Sequence, residues 1–188
     1  MDASAPTTHL GLDELIAGLP RILEAPRDRG TLELVLRRPG EDLREVLDRA
    51  ELTFAEGVRG DNWNRRSSTR TEDGSPHPEM QLNVMSARVV DLVARSRDRW
   101  SLAGDQLYLD LDLSEDNLPA GTRLSIGSAV IEVTPEPHRG CAKFTRRFGA
   151  DARRFVNLPE HRHLRLRGLN AKVVVEGTVR PGDQVTKV

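Results

Sequence analysis

Two short apolar, β-branched runs, Arg123–Ile126 and Ala129–Val133, stand two residues apart, with Gly127-Ser128 between them. A two-residue connection joins only antiparallel neighbours, because a parallel crossover takes about a dozen residues or more. That spacing commits this part of the chain to a hairpin and argues against a strictly alternating α/β fold. Further strands are read at residues 31–36, 81–85, 106–113, 162–167, 172–175 and 184–188, with a turn at Arg180-Pro181-Gly182-Asp183. Residues 106–113 alternate strictly, with Leu107, Leu109, Leu111 and Leu113 on one face and Tyr108, Asp110 and Asp112 on the other, which predicts a half-buried strand.

Helical spacing is confined to four places. They are residues 12–23, limited by Gly18 and Pro20; residues 41–52, with Leu43, Val46, Leu47 and Ala50 on one face; residues 87–95 behind a Ser86 cap; and residues 143–155, interrupted at Gly149. Many short strands with few helices predict a mainly β fold with helical additions, closed as a β-barrel. Residues 1–29 read as an N-terminal tail with a short helix, and residues 30–188 as the barrel domain.

The single cysteine, Cys141, follows the second hairpin strand through Thr134-Pro135-Glu136-Pro137. Gly140 precedes it, and His138, Arg139 and Lys143 lie within three residues. Cationic neighbours favour the thiolate, the form that attacks electrophiles and binds soft metals. A lone cysteine packed as a small apolar side chain is the plain alternative. One cysteine allows no internal disulfide, which fits a reducing cytosol. No signal peptide or apolar membrane span is visible, so a cytoplasmic protein without a membrane partner is expected.

Charge is uneven although the formal net charge is only −1. Between His138 and Lys172 ten Lys and Arg residues face two acids, Asp151 and Glu160. A local basic field in a neutral chain suits a small anionic ligand, or forms a solvated face. Seven aromatic residues in the whole chain offer little for base stacking, so no nucleic-acid partner is expected. Residues 57–70 carry four arginines and no core-forming pattern, which marks a surface loop anchored by Trp63.

Other chemistry fits less well. Residues 110–121 resemble a calcium loop, but Glu115 replaces the required glycine and Gly121 the closing glutamate. His161, His163 and a distant Cys141 leave a zinc site incomplete. Dinucleotide and Walker fingerprints are absent, as are the local signatures of cysteine proteases. Gly-Asp recurs at 60, 104 and 182, before or between strands, without amounting to a repeat.

The chain resembles the MOSC domain, named for the C-terminal region of molybdenum cofactor sulfurases. The pieces that carry the likeness are Glu115 with Asn117-Leu118, Gly121, Leu124 to Gly127, Ala129–Val133 and the Cys141 loop. Upstream stands Gly57-Val58-Arg59-Gly60-Asp61, and downstream residues 167–173 and 177–183. The resemblance implies a closed, pyruvate-kinase-barrel-like β-barrel and the molybdenum cofactor, molybdopterin, with Cys141 as thiolate ligand to molybdenum and catalytic residue. Under it His138, Arg139, Lys143, Arg146 and Arg147 would bind or steer the phosphate tail of the anionic pterin. Arg59 and Arg65 would add to these from the facing loop, and Asp61 and Asn117 would orient the ligand. A molybdenum-dependent oxidoreductase reducing N-hydroxylated compounds is implied, with electrons from a separate donor protein. The pyridoxal-dependent domain of the sulfurases does not fit in 188 residues, so pyridoxal phosphate is not expected. Two other readings stay open: a sulfur or cofactor carrier that uses a Cys141 persulfide from a donor protein, and a binding domain with a packed thiol.

Overall fold

A computed structural model describes residues 9–188. Among these residues there are eleven strands: β1 (Arg29–Arg37), β2 (Glu45–Leu47), β3 (Ala50–Thr53), β4 (Gly57–Val58), β5 (Leu82–Ser86), β6 (Leu107–Asp110), β7 (Arg123–Ile126), β8 (Ala129–Val133), β9 (Leu169–Val175), β10 (Gly177–Val179) and β11 (Gln184–Lys187). Five short α-helices accompany them: α1 (Leu12–Ala17), α2 (Leu19–Leu23), α3 (Ala87–Ala94), α4 (Ala142–Phe148) and α5 (Ala150–Phe155).

Seven strands, in the order β11-β7-β8-β9-β5-β6-β1, close into a barrel through a second pairing of β1 with β11. Long β1 makes this closure possible: Arg29 to Thr31 pair with β11, while Thr31 to Val35 pair with β6. Among the described strands only β5 and β6 run parallel, and α3 with the 3-10 helix Arg97–Ala103 supplies the crossover that such a pair needs. Ser86 caps α3, its hydroxyl accepting from the Val89 N–H. β2 extends the sheet from β1, and β10, β3 and β4 form a separate three-stranded sheet.

The barrel wall is apolar on both faces. Leu32, Val35, Leu107, Leu109, Ile131 and Ala171 fill the interior. Leu34, Leu36, Met85 and Tyr108 face outward and are covered by Phe144, Phe148 and Phe155 of α4 and α5. An irregularity between Leu32 and Leu34 shifts the phase of β1, so Leu32 and Val35 both point inward although they are three residues apart. Tyr108, fully buried, donates its hydroxyl to the Trp100 carbonyl at 3.0 Å.

The expected closed barrel and its hairpin are present, and three local expectations are corrected. Residues 41–52 form β2 and β3 in place of a helix: Ala50 and Leu52 are buried with strand periodicity, whereas Leu43 and Val46 are more than half exposed. Residues 162–167 form the end of the 3-10 helix Pro159–Leu164 and a turn through Arg165, whose φ of 48° is incompatible with a strand. Residues 106–113 hold the shorter β6, which is buried on both faces at Tyr108 because helices cover the barrel there. No helix among the described residues is long and apolar enough to cross a membrane.

Candidate functional site

Cys141 sits where the chain passes from the barrel wall into α4. After β8 the loop is fastened twice: Thr134 donates from its backbone to Asn170 and from its hydroxyl to Glu79. Asn157, after α5, then clamps Gly140, accepting from its N–H at 3.0 Å and donating to its carbonyl at 3.1 Å. A Cβ on Gly140 would meet both Asn157 Nδ2 and Val156 at 2.9 Å, so this glycine is needed for close approach.

The Cys141 thiol is exposed, and its carbonyl accepts from the Phe144 and Thr145 N–H groups that open α4. Partial burial pushes the thiol up, but the N–H groups of Phe144 and Lys143 and the Arg167 guanidinium outweigh it, leaving the thiol below its ordinary value. Alkylation of Cys141 by iodoacetamide should therefore reach its half-maximal rate at a lower pH than alkylation of an unstructured cysteine peptide. A midpoint at or above the peptide's would contradict this assignment.

Beneath α4 lies a buried ion pair. Arg167 Nη1 is 2.8 Å from each oxygen of the fully buried Asp105 carboxylate, and its guanidinium packs 5.0 Å from the Phe144 ring centre. Burial pushes the Asp105 carboxyl up, and Arg167 chiefly opposes it. His138 Nδ1 stands 3.4 Å from Asp105 without a hydrogen bond. Burial, followed by the Arg167 and Arg38 charges, holds this imidazole well below its usual value, so it is neutral at physiological pH.

A second network ties the cysteine loop to the opposite wall. Arg38 grips the Asp61 carboxylate with two bonds of 3.0 Å and donates to Asn83 Oδ1 at 2.9 Å. Asn83 donates to Asn170, and Asn170 donates to the Glu136 carbonyl in the cysteine loop. The buried Asp61 is thus the far anchor of a bonded chain that ends near Cys141.

A cleft of about 340 Å³ opens next to the cysteine loop, with walls that include His138, Arg139, Arg153, Arg162, Arg165 and Arg167. Of the residues proposed from sequence, His138 and Arg139 line this cleft. Lys143 and Arg147 lie on α4 and are engaged by Glu41 and Asp42, while Arg146 is exposed. Arg59 pairs with Glu51 on the small sheet, and Arg65 donates to the Pro39 carbonyl. Asn117 donates to the Arg27 and Asp112 carbonyls and accepts from Lys187, so its partners lie away from the cysteine loop. Sequence reasoning did not single out Asp105, Arg153, Arg162, Arg165 or Arg167 as site residues. The recurrent Gly-Asp pairs were the available signal, since Asp61, Asp105 and Asp183 each take an arginine partner.

A family model of the MOSC domain matches residues 75–186, more than half of the chain. The chain belongs to the MOSC domain family. This family is associated with molybdenum cofactor binding. Solved structures agree on the fold. The YuaD protein from Bacillus subtilis superposes with a TM-score of 0.62 at 15% identity, covering 84% of this MOSC chain and 94% of that one. YiiM from Escherichia coli gives 0.53 at 18% identity, with 84% and 69% covered. YiiM from Geobacillus stearothermophilus gives 0.51 at 14%, with 85% and 75% covered. No curated protein matches the sequence.

Proposed function

We propose that this MOSC domain binds the molybdenum cofactor through the Cys141 thiolate and, given electrons, reduces an N-hydroxylated compound. The observation that carries the reading is an exposed thiol in a family tied to that cofactor, lowered by backbone N–H groups and Arg167. The donor set fits the group. No cluster of three His, Cys, Asp or Glu side chains able to hold a bare metal ion exists among the described residues, so Cys141 offers one soft ligand to a metal that brings its others with it. Of the cations proposed from sequence on either side of Cys141, Arg139 and Arg146 are exposed and unpaired among the described residues, whereas Lys143 and Arg147 are engaged by Glu41 and Asp42, so the first two are assigned to the pterin phosphate.

The bound cofactor would supply two-electron reduction, in which an N-hydroxyl group leaves as water after taking up two electrons and two protons. The chain's own residues fasten the loop through Thr134 and Asn157 and favour the thiolate over the thiol. In this reading the electrons are supplied by a separate donor protein. With a chemical reductant, the cofactor-loaded protein should convert a hydroxylamino base to the amine, and Cys141→Ala should fall to background. Equal turnover in the two proteins would exclude the thiolate role.

The same exposed, lowered thiol also suits a sulfur relay, in which the Cys141 thiolate takes the terminal sulfur of a donor persulfide and the donor leaves as its thiolate. A gain of one sulfur in mass, absent in Cys141→Ala, marks that reading.

A further inference from the structure

We propose that residues 66–76 are a lid over the approach to Cys141, latched by the Arg70–Glu136 ion pair, and that this latch selects substrates by size. The chain runs without strand or helix over residues 66–77, between the 3-10 helices Trp63–Arg65 and Pro78–Met80. Its base is tied, because the Trp63 indole N–H donates to the His77 carbonyl at 3.2 Å and closes the segment as an Ω-loop. Its tip folds on itself: the Ser68 N–H donates to the Gly74 carbonyl, and the Thr71 hydroxyl to the Ser75 carbonyl. Residues 64–75 contain no Ala, Val, Leu, Ile, Met or aromatic side chain. A segment with so little apolar surface to bury belongs to the least stable part of a fold. Residues 66–74 also lie outside the stretch that the family model matches.

Among the described residues, the one hydrogen-bonded contact from residues 67–76 to the rest of the protein is Arg70 with Glu136. Glu136 belongs to the cysteine loop, ahead of Cys141, and its carbonyl is held by Asn170. At the other end Arg65 donates to the Pro39 carbonyl at 3.2 Å. The residues after Pro39 grip α4, Glu41 holding Lys143 at 3.1 Å and Asp42 holding Arg147 at 2.7 Å, and α4 begins directly after Cys141. The segment therefore spans from the chain just before the cysteine to the loop that holds the chain just after it. With the latch made, the thiol is still exposed, so the lid acts on bulky molecules and lets small ones pass. Both latch side chains are partly exposed, and an ion pair of that kind shifts an equilibrium by about two- to fivefold. Substrate selection rests on the thiolate role proposed for Cys141, whereas the lid itself does not.

The test alkylates metal-free protein with iodoacetamide and, separately, with a maleimide that carries a polyethylene glycol chain. Both reagents attack the thiolate, so the ratio of their rates cancels any change in its population. Arg70→Ala should raise the rate of the bulky maleimide relative to iodoacetamide by about two- to fivefold. Added salt should raise the same ratio in the wild type and leave Arg70→Ala unmoved. Arg180→Ala, which breaks an exposed ion pair on the β10–β11 turn, should leave the ratio unchanged. Glu136→Gln keeps every arginine of the lid and should speed tryptic cleavage after Arg65, Arg66 or Arg70 by a similar factor, since cleavage follows the open population. A rate ratio equal in Arg70→Ala and the wild type overturns the proposal even where cleavage is faster, because a loop that opens without changing the ratio does not cover the thiol. Neither measurement needs molybdenum. A chain that binds no cofactor would still show the size-dependent rates, and an unlatched ratio would leave the cofactor reading standing, so the two fail separately.

Discussion

Replacing Asp105 with alanine is expected to destabilise the protein by about 3–5 kcal/mol, read as a lower denaturant midpoint with an unchanged slope. Asp105 is fully buried and holds Arg167 through both carboxylate oxygens, so the substitution strands a guanidinium under α4 with no counter-charge. Desolvation makes that orphaned charge costly, whereas removing both charges together costs much less. Asp105→Ala combined with Arg167→Met should therefore recover most of the lost stability. A double variant no more stable than Asp105→Ala alone would show that the pair is not the cause. The same substitutions separate structure from chemistry. In folded Asp105→Ala the Arg167 field is uncompensated and should draw the Cys141 thiol lower still; in the double variant that field is gone and the thiol should rise.

The second large effect is expected at Gly168, which turns the chain from Arg167 into β9 with a φ of 102°. A Cβ there would run into the Val84 carbonyl and the Met85 Cα of β5, the strand with which β9 pairs. Backbone cannot move aside as a side chain can. The disallowed φ costs about 1–2 kcal/mol, and the forced contact adds about 1–3 kcal/mol. Gly182→Ala isolates the first contribution, because its φ is 93° but no atom beyond its chain neighbours lies within 4 Å of where a Cβ would stand. Gly168→Ala should be clearly less stable than Gly182→Ala in denaturant titration. Equal losses would mean that the close approach to β5 contributes nothing. Since Gly168 adjoins Arg167, any surviving Gly168→Ala protein should also show an altered alkylation rate at Cys141.

Much of the barrel was legible because its signals are local. The hairpin Arg123–Ile126 and Ala129–Val133 is paired across a two-residue turn, and Ser86 caps the helix that follows it directly. Residues 41–52 misled because Leu43, Val46, Leu47 and Ala50 fit helical spacing. Their fate is set by a distant strand, β10, which pairs Gly177 to Val179 with Leu52 to Ala50. Residues 162–167, read as a strand, instead end a 3-10 helix and turn at a left-handed Arg165.

At the site, the loop setting of the cysteine and its basic neighbours could be read from the sequence, while the exposure of the thiol was left open. The partners of those charges could not. Arg167 counted as one more surface cation, yet its counter-ion lies 62 residues away and both are buried. Asp61 and Asn117, assigned to the ligand by motif position, are engaged within the fold, Asp61 by Arg38 and the Trp63 N–H, and Asn117 by the Arg27 and Asp112 carbonyls and Lys187. Arg153 and Arg162 reach the cleft only because α5 and the 3-10 helix fold back beside the cysteine loop.

The most direct test of the central claim is metal and pterin content. The protein and Cys141→Ala would be purified anaerobically from a host that makes molybdenum cofactor, and molybdenum and pterin quantified per chain. Near-stoichiometric molybdenum in the wild type, lost in Cys141→Ala while the variant stays folded, is the predicted result. Molybdenum that is equal in both proteins, or absent from both together with pterin, would contradict the account.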